Sequence, residues 1–422
     1  MSATSSSLSG LQAATFSLLA FVLPLVALLA PKGTVVVLFA GTLLAAAARW
    51  ASERRLPRPA FAPTLLLGLM VLWMAAASLW SFDPAGGLTL ALRVTASAAA
   101  GLWLIALASS LDDATRVAAG WALLVGCALA VSIVLIELLF DFPITRAFRS
   151  DSDNPYRLLS SLNRGATALA LLVWPVTAVL WRQGLRKRAL ALPLLLLALL
   201  LFLQSSAAVF ALAAGLMTAL LALLHRKAGR ALLLAAAAGA LLLSPLVGPT
   251  LYRNGAMEWS NLDSTAKHRV HIWNFTSERI LERPLFGWGF DASRDMPNFG
   301  VEPYDNRARV IPLHPHNGAL QILLELGPVG GLLAFAIFWL MAERLERLAM
   351  PGRLAGQAAG VTGVAIACSA YGLWQGQWLA MLFLAAAMVI LAAPSATAAP
   401  ARVERGRAPA PAGLGPDLPE RT

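Results

Sequence analysis

The chain has 422 residues, of which 58% are hydrophobic and 13% charged, against about 45–50% and about 25% in a soluble globular protein. That excess excludes a soluble enzyme, a disordered chain and a collagen-like chain, and the long apolar runs disfavour an outer-membrane barrel, whose strands alternate. The net charge of +11 would suggest nucleic acid in a soluble protein; here it is tested first as the cytoplasmic bias of Lys and Arg around membrane helices.

The N-terminal MSATSSSLSG carries no Lys or Arg ahead of the first apolar run. A secretory signal normally has a basic start, so this run is expected to be retained. Twelve spans fit, near 11–30, 34–48, 62–80, 88–110, 117–140, 165–181, 189–203, 207–224, 231–251, 317–341, 354–371 and 374–393. The expectation is an all-α polytopic membrane protein of about twelve helices. Residues 1–10 form its N-terminus, 11–251 its first nine helices, 252–316 a large loop and 317–393 its last three helices. Residues 394–422, rich in Pro, Ala, Gly and Arg, are expected to be a disordered tail. With the N-terminus inside, nineteen Lys and Arg fall on inner segments and five on the short outer ones. The 65-residue loop is too long to count toward orientation. Both termini are therefore expected in the cytoplasm and the loop outside.

Within this frame Arg93 lies inside the fourth span, free either to snorkel outward or to pair with a carboxylate such as Glu325. Cys127 and Cys368 lie in apolar runs, read as small buried hydrophobes with no disulfide or metal framework. Loop 141–164 breaks the charge trend with Arg146, Arg149, Arg157 and Arg164. Ion pairs with Asp141, Asp151 and Asp153 would explain them; so would a site for an anionic ligand at the outer surface. Asp151-Ser152-Asp153 could hold a divalent metal, but the tripeptide is common by chance and arginines flank it.

The loop 252–316 holds eight basic and eight acidic residues and four of the five histidines: His268, His271, His314 and His316. TAKHRVHIWNFTSERILER reads as an amphipathic helix with Val270, Trp273, Ile280 and Leu281 at near-helical spacing, ended by Pro284. Arg269 and Trp273, four apart, share a face. RPLFGWGF, residues 283–290, reads as a tight turn against the membrane surface with Trp288 at the interface. In LHPHNGALQILLELGPVGG, Asn317 can cap a helix, which holds His316 at its outer mouth. Asn317, Gln321 and Glu325 recur every four residues, a polar stripe expected to face the bundle interior. Gly327, Pro328, Gly330 and Gly331 allow a bend or a close approach. His314-Pro315-His316 could suggest zinc, but no nearby cysteine completes a ligand set.

The string His316-Asn317, nine residues, then Gly327-x-x-Gly330-Gly331 resembles the signature of bacterial O-antigen ligases, a group that includes O-antigen polymerases and protein O-oligosaccharyltransferases. Arg269-x-x-x-Trp273 and Pro284-Leu285-Phe286-Gly287-Trp288-Gly289 precede it in the matching order. The resemblance implies a GT-C-like glycosyltransferase of the bacterial inner membrane with a periplasmic active site. Its donor would be O-antigen on undecaprenyl pyrophosphate and its acceptor the lipid A–core oligosaccharide; no cofactor and no nucleic acid are implied. Many relatives carry a Ser-Arg pair where this chain has Gln204-Ser205-Ser206-Ala207, so Arg164 is the candidate substitute.

Breaking the sugar C1–O bond leaves added charge on the pyrophosphate, which suits guanidinium forks. Arg164 and Arg269 are the first candidates, with Arg146 and Arg149 behind them. Deprotonating the acceptor hydroxyl suits an imidazole, and His316 is the candidate base. It could instead orient the acceptor, hold a phosphate or simply hydrogen-bond the loop. His314, Asn317 and Trp273 are candidate substrate contacts, while His268 and His271 read as structural. The rival class is a lipid or glycan transporter, whose polar site would lie near the midplane and whose halves often repeat; no repeat is visible here.

Overall fold

The computed structural model describes residues 2–148, 155–203 and 205–394. Among them there are helices and irregular segments but no strand. The helices are α1 (Ser2–Leu29), α2 (Thr34–Glu53), α3 (Phe61–Ser78), α4 (Pro84–Ser109), α5 (Asp113–Leu139), α6 (Pro143–Phe148), α7 (Pro155–Arg182), α8 (Arg186–Phe202), α9 (Ser206–Leu224), α10 (Ala228–Arg253), α11 (Ser264–Glu282), α12 (Ala292–Asp295), α13 (Gly318–Glu346), α14 (Gly352–Ala367) and α15 (Gly376–Ala392). Each of the twelve apolar runs falls on a helix. Nine of the helices among the described residues are long and apolar enough to cross a membrane. The other three runs correspond to α8, α14 and α15, of 17, 16 and 17 residues. The architecture is that of an all-helical, multi-pass membrane protein. The expected tail lies outside the described residues beyond Pro394.

Helix starts follow local chemistry. Asp83 accepts from the Gly86 amide beside Pro84 at the first helical position, and Asp112 accepts from Thr115. These side chains satisfy amides that the helix itself leaves unpaired. The opposite problem, orphan carbonyls at helix ends, is met by Arg116. Its guanidinium, 5% exposed, donates to the carbonyls of Ser109, Leu111, Ile390 and Ala393, joining the end of α4 to the end of α15.

Exposure separates the lipid-facing helices from the central ones. Leu92, Leu195, Phe210 and Leu242 are exposed on α4, α8, α9 and α10. The apolar part of α7 is almost wholly enclosed, and Trp174 at its centre donates to Thr362 of α14 at 2.9 Å. An indole N–H in such a core needs that partner. Helix α7 begins at Pro155, ten residues earlier than the expected span. Arg164 therefore sits within the helix rather than leading into it; Pro155 suits a first helical turn, and no Gly or Pro stands between it and Arg164.

The segment between α10 and α13 folds onto α13. Ile272 and Phe275 of α11 pack with Trp288, Met296, Val310, Ile311 and Leu324. Two expectations are corrected here. Leu281 is exposed, and Val270, Ile272 and Phe275 form the buried face of α11. Trp288 is 7% exposed and lies inside this cluster, its indole donating to the Arg279 carbonyl at 2.7 Å. The turn of residues 283–290 rests on α13, with Leu285 and Phe286 left exposed.

The bend in α13 accounts for that docking. Gly327 adopts φ 63°, ψ −164°, and Pro328 lacks the N–H that would bond the Leu324 carbonyl. The freed carbonyls find partners elsewhere. Leu324 accepts from Trp288 N at 2.8 Å, Glu325 from Gly289 N at 3.1 Å, and Leu326 from the Trp73 indole at 3.0 Å. Gly287 at φ 67° comes so close that an added Cβ would lie 2.7 Å from the Leu324 oxygen. The two glycines of GWG are thus required by close backbone approach.

Candidate functional site

The first turn of α13 is closed by Asn317, whose Oδ1 accepts from Ala319 and Leu320 at 3.0 and 3.1 Å. Its Nδ2 donates to Ser244 of α10 at 3.1 Å. The cap fixes the residues just before it. His316 sits in the left-handed region at φ 55°, a conformation costly for a non-glycine residue and held here from several directions. The Trp273 indole of α11 donates to the Pro315 carbonyl at 3.0 Å. The His316 amide donates to His314 Nδ1 at 3.2 Å, and the two imidazoles lie 4.3 Å apart.

His316 Nδ1 is 3.4 Å from the Ala370 carbonyl. A carbonyl can only accept, so this contact assigns the proton to Nδ1 and leaves a lone pair on Nε2. Burial lowers the His316 pKa below the ordinary histidine value; the Ala370 carbonyl opposes this, and the charges of Arg269 and Arg307 lower it further. The ring is neutral at pH 7 and can take up a proton. His314 is pushed down to about 3, first by burial and then by His316 and Arg294.

Arg269 stands four residues before Trp273 on α11. Its guanidinium is half-buried and makes no hydrogen bond or ion pair among the described residues. Burial lowers its pKa, with Asp263 opposing. A second cation, Arg307, escaped the sequence reading. It follows the short turn Tyr304–Asn306, and its charge reaches both His268 and His316. Tyr304 packs against His268 and His271 with ring centroids 6.0 and 6.4 Å apart, and His271 Nε2 lies 3.0 Å from the Glu302 carbonyl. These two histidines therefore hold the Arg307 segment to α11. His268 is pushed down to about 4, chiefly by burial and next by Arg307. No periodicity marks Arg307 in the sequence; only this docking does.

The remaining sites separate. Arg164 is exposed on α7 and lines a cleft with Thr34, Tyr371 and Gln377. Its own carbonyl is 3.4 Å from the Tyr371 hydroxyl. Tyr371 follows Ala370, so the turn between α14 and α15 contacts His316 through one residue and Arg164 through the next. Arg146 pairs with Asp141 at 2.9 Å, the ion-pair reading. Arg149, Asp151 and Asp153 lie outside the described residues. Gln321 and Glu325 are buried as the stripe required. The partners of Glu325 do not include Arg93, which is exposed on α4. The structure thus gathers His316, His314, Asn317, Trp273 and Arg269 at one mouth of the bundle and adds Arg307.

At one end of the multi-pass helical bundle a half-buried imidazole shares a mouth with guanidinium groups that have no partner among the described residues. Residues 191–335 match the family described as O-Antigen ligase, a stretch that includes α11, the GWG turn and the His316-Asn317 mouth. The chain is also similar to proteins of Rickettsia typhi and Rickettsia felis, each named as a candidate polysaccharide ligase. Both are 27% identical, over 263 and 267 residues, or 61% of this chain and 64% and 63% of the relatives. A Rickettsia prowazekii protein of like name is 25% identical over 263 residues, 61% of this chain and 64% of its own. The match thus spans somewhat less than two thirds of each relative's length.

Proposed function

We propose that this chain is an O-antigen ligase, transferring glycan from undecaprenyl pyrophosphate to a sugar hydroxyl of lipid A–core at the periplasmic face of the bacterial inner membrane, with both termini cytoplasmic. One observation carries this reading: at a single mouth, inside the matched segment, the His316 imidazole lies within reach of the charge of a half-buried Arg269, and neither His316 Nε2 nor that guanidinium has a hydrogen-bond partner among the described residues.

The acceptor oxygen attacks C1 of the donor sugar and the C1–O bond to phosphate breaks. The hydroxyl proton passes to His316 Nε2, and the diphosphate leaves with one more negative charge. Arg269 and Arg307 are placed to receive that charge, with Arg164 along the donor's path past Tyr371. Preorganised donors of this kind are worth about 3–4 kcal/mol each in the transition state. Guanidinium groups supply the counter-charge, so transfer should survive a chelator.

The test is reconstituted transfer by purified protein from undecaprenyl-pyrophosphate-linked O-antigen to lipopolysaccharide lacking O-antigen, with chelator and no energy source. A new glycosidic bond supports the reading; none, with transport across the vesicle instead, would mark a carrier. A deletion strain should make bare lipid A–core. Core bearing one repeat unit would point to a polymerase instead.

A further inference from the structure

A cleft outside this machinery opens on the His314 side of the α13 mouth, between Leu90 of α4, Asp291 and Arg294 of the loop, and the turn from Gly372 to Gln375. It is half-open and small, with about 50 Å³ of free volume, room for the edge of one sugar residue and not for a chain.

One buried acid holds its walls. Glu325 is 0% exposed, and its two oxygens accept four hydrogen bonds. Oε1 receives Ser293 Oγ at 2.5 Å and Gln321 Nε2 at 3.1 Å; Oε2 receives the Trp374 indole at 2.7 Å and the Asp291 amide at 3.2 Å. The far end of Gln321 accepts from Leu373 N at 2.8 Å. Loop, helix and turn thus converge on one carboxylate, as a buried acid requires.

The groups left to line the cleft have a definite chemistry. Asp291, in the left-handed region at φ 61°, pairs Oδ2 with Arg294 Nε at 3.0 Å. Its Oδ1 and the outer Arg294 nitrogens make no hydrogen bond among the described residues. The Gln375 amide lies 3.2 Å from His314 Nε2, and the Trp374 indole forms the floor. A carboxylate oxygen, guanidinium donors and an amide match neighbouring hydroxyls, each both donor and acceptor. A lone phosphate would meet the Asp291 charge, and a lipid tail would leave these groups unpaired.

We propose that this cleft is the acceptor-sugar site, binding one residue of the lipid A–core oligosaccharide through Asp291, Arg294 and Gln375 and presenting its hydroxyl to His316 across His314. The assignment rests on the transfer reading above. The donor diphosphate belongs with Arg269 of α11 and Arg307 of the segment docked on it, which leaves the His314 side for the acceptor.

The test uses the full-length protein with lipopolysaccharide lacking O-antigen as the probe. Asp291→Asn keeps the backbone amide on Glu325 and tolerates the left-handed conformation. Arg294→Met keeps the stem and serves if the first variant fails to fold. Either should raise the acceptor KM at least about tenfold, the loss expected for a hydrogen bond to a charged group, with donor KM unchanged. Titration of the same probe without donor should show the same loss of affinity. Unchanged acceptor KM, a rise in donor KM instead, or no saturable binding by the unaltered protein would overturn the site. Saturable binding without any glycosidic bond would sink the transfer reading and leave the sugar site standing.

Discussion

Replacing Arg269 by Gln should lower kcat about 10²–10³-fold. None of its five donors is engaged among the described residues, so the whole fork is available to the leaving diphosphate. One such donor contributes about 3–4 kcal/mol in the transition state, and each 1.36 kcal/mol is a factor of ten. The substitution carries a second signature. The Arg269 charge is one of the effects that depress the His316 pKa. Removing it lets that pKa rise, so a base acting through Nε2 loses activity at a higher pH than before. The acid limb of the kcat profile should therefore move upward in Arg269→Gln. Arg269→Lys keeps the charge and loses the fork; it should lower kcat about tenfold with the limb in place. The assay is the initial rate of glycan transfer by reconstituted protein between pH 5 and pH 8.5. A near-normal rate in the Gln variant, or equal limb positions in the Gln and Lys variants, would refute the coupling of Arg269 to His316.

Arg146→Ala should change transfer less than about fivefold, because Arg146 is paired with Asp141 at an exposed site where such a pair is worth about 0–1 kcal/mol; a hundredfold loss would return Arg146 to the donor site. Gly287→Ala should cost at least about 2 kcal/mol, from the left-handed backbone and a Cβ 2.7 Å from the Leu324 oxygen; thermal unfolding in detergent reads it, and an unchanged Tm would contradict the docking of GWG on α13. Asn317→Ala should lose about 1 kcal/mol as a helix cap, and Asn317→Asp, which keeps the accepting oxygen, should recover most of it. Acidification should also destabilise the protein. His314 and His268 fall to about 3 and about 4 when folded, so the unfolded chain binds more protons below the ordinary value of about 6.5. Stability is full above that value and is lost as pH falls toward 4, about 2 kcal/mol from each histidine between pH 7 and pH 5. A Tm that holds steady from pH 7 to pH 5 would show that these rings are not held neutral.

The helices were legible because an apolar run of about 20 residues has one common solution in lipid, the satisfaction of its backbone by itself. Asn317 as a cap, Pro284 as a stop and Gly327-Pro328 as a bend were legible for the same local reason. The candidate mouth was half legible: Arg269 and Trp273 share a face through helical spacing, and Asn317 fixes His316 by sequence neighbourhood. Trp288 was misplaced because aromatic residues near apolar runs suit both a membrane interface and a small protein core. The freed carbonyls of α13 decided for the core.

The alternation of apolar runs and basic segments determined, without coordinates, that the chain is a bundle of membrane helices with one large hydrophilic insertion, since these are consequences of composition and short-range geometry. Tertiary structure alone decided which distant groups meet. Arg307 reaches His316 only because Tyr304 lies against two histidines of α11, and Glu325 joins Ser293, Gln321 and Trp374 only because a bent helix draws loop and turn together. Hydrogen bonds and charges act through space over a few ångströms, and residues 32 and 49 positions apart along the chain become neighbours only when packing makes them so.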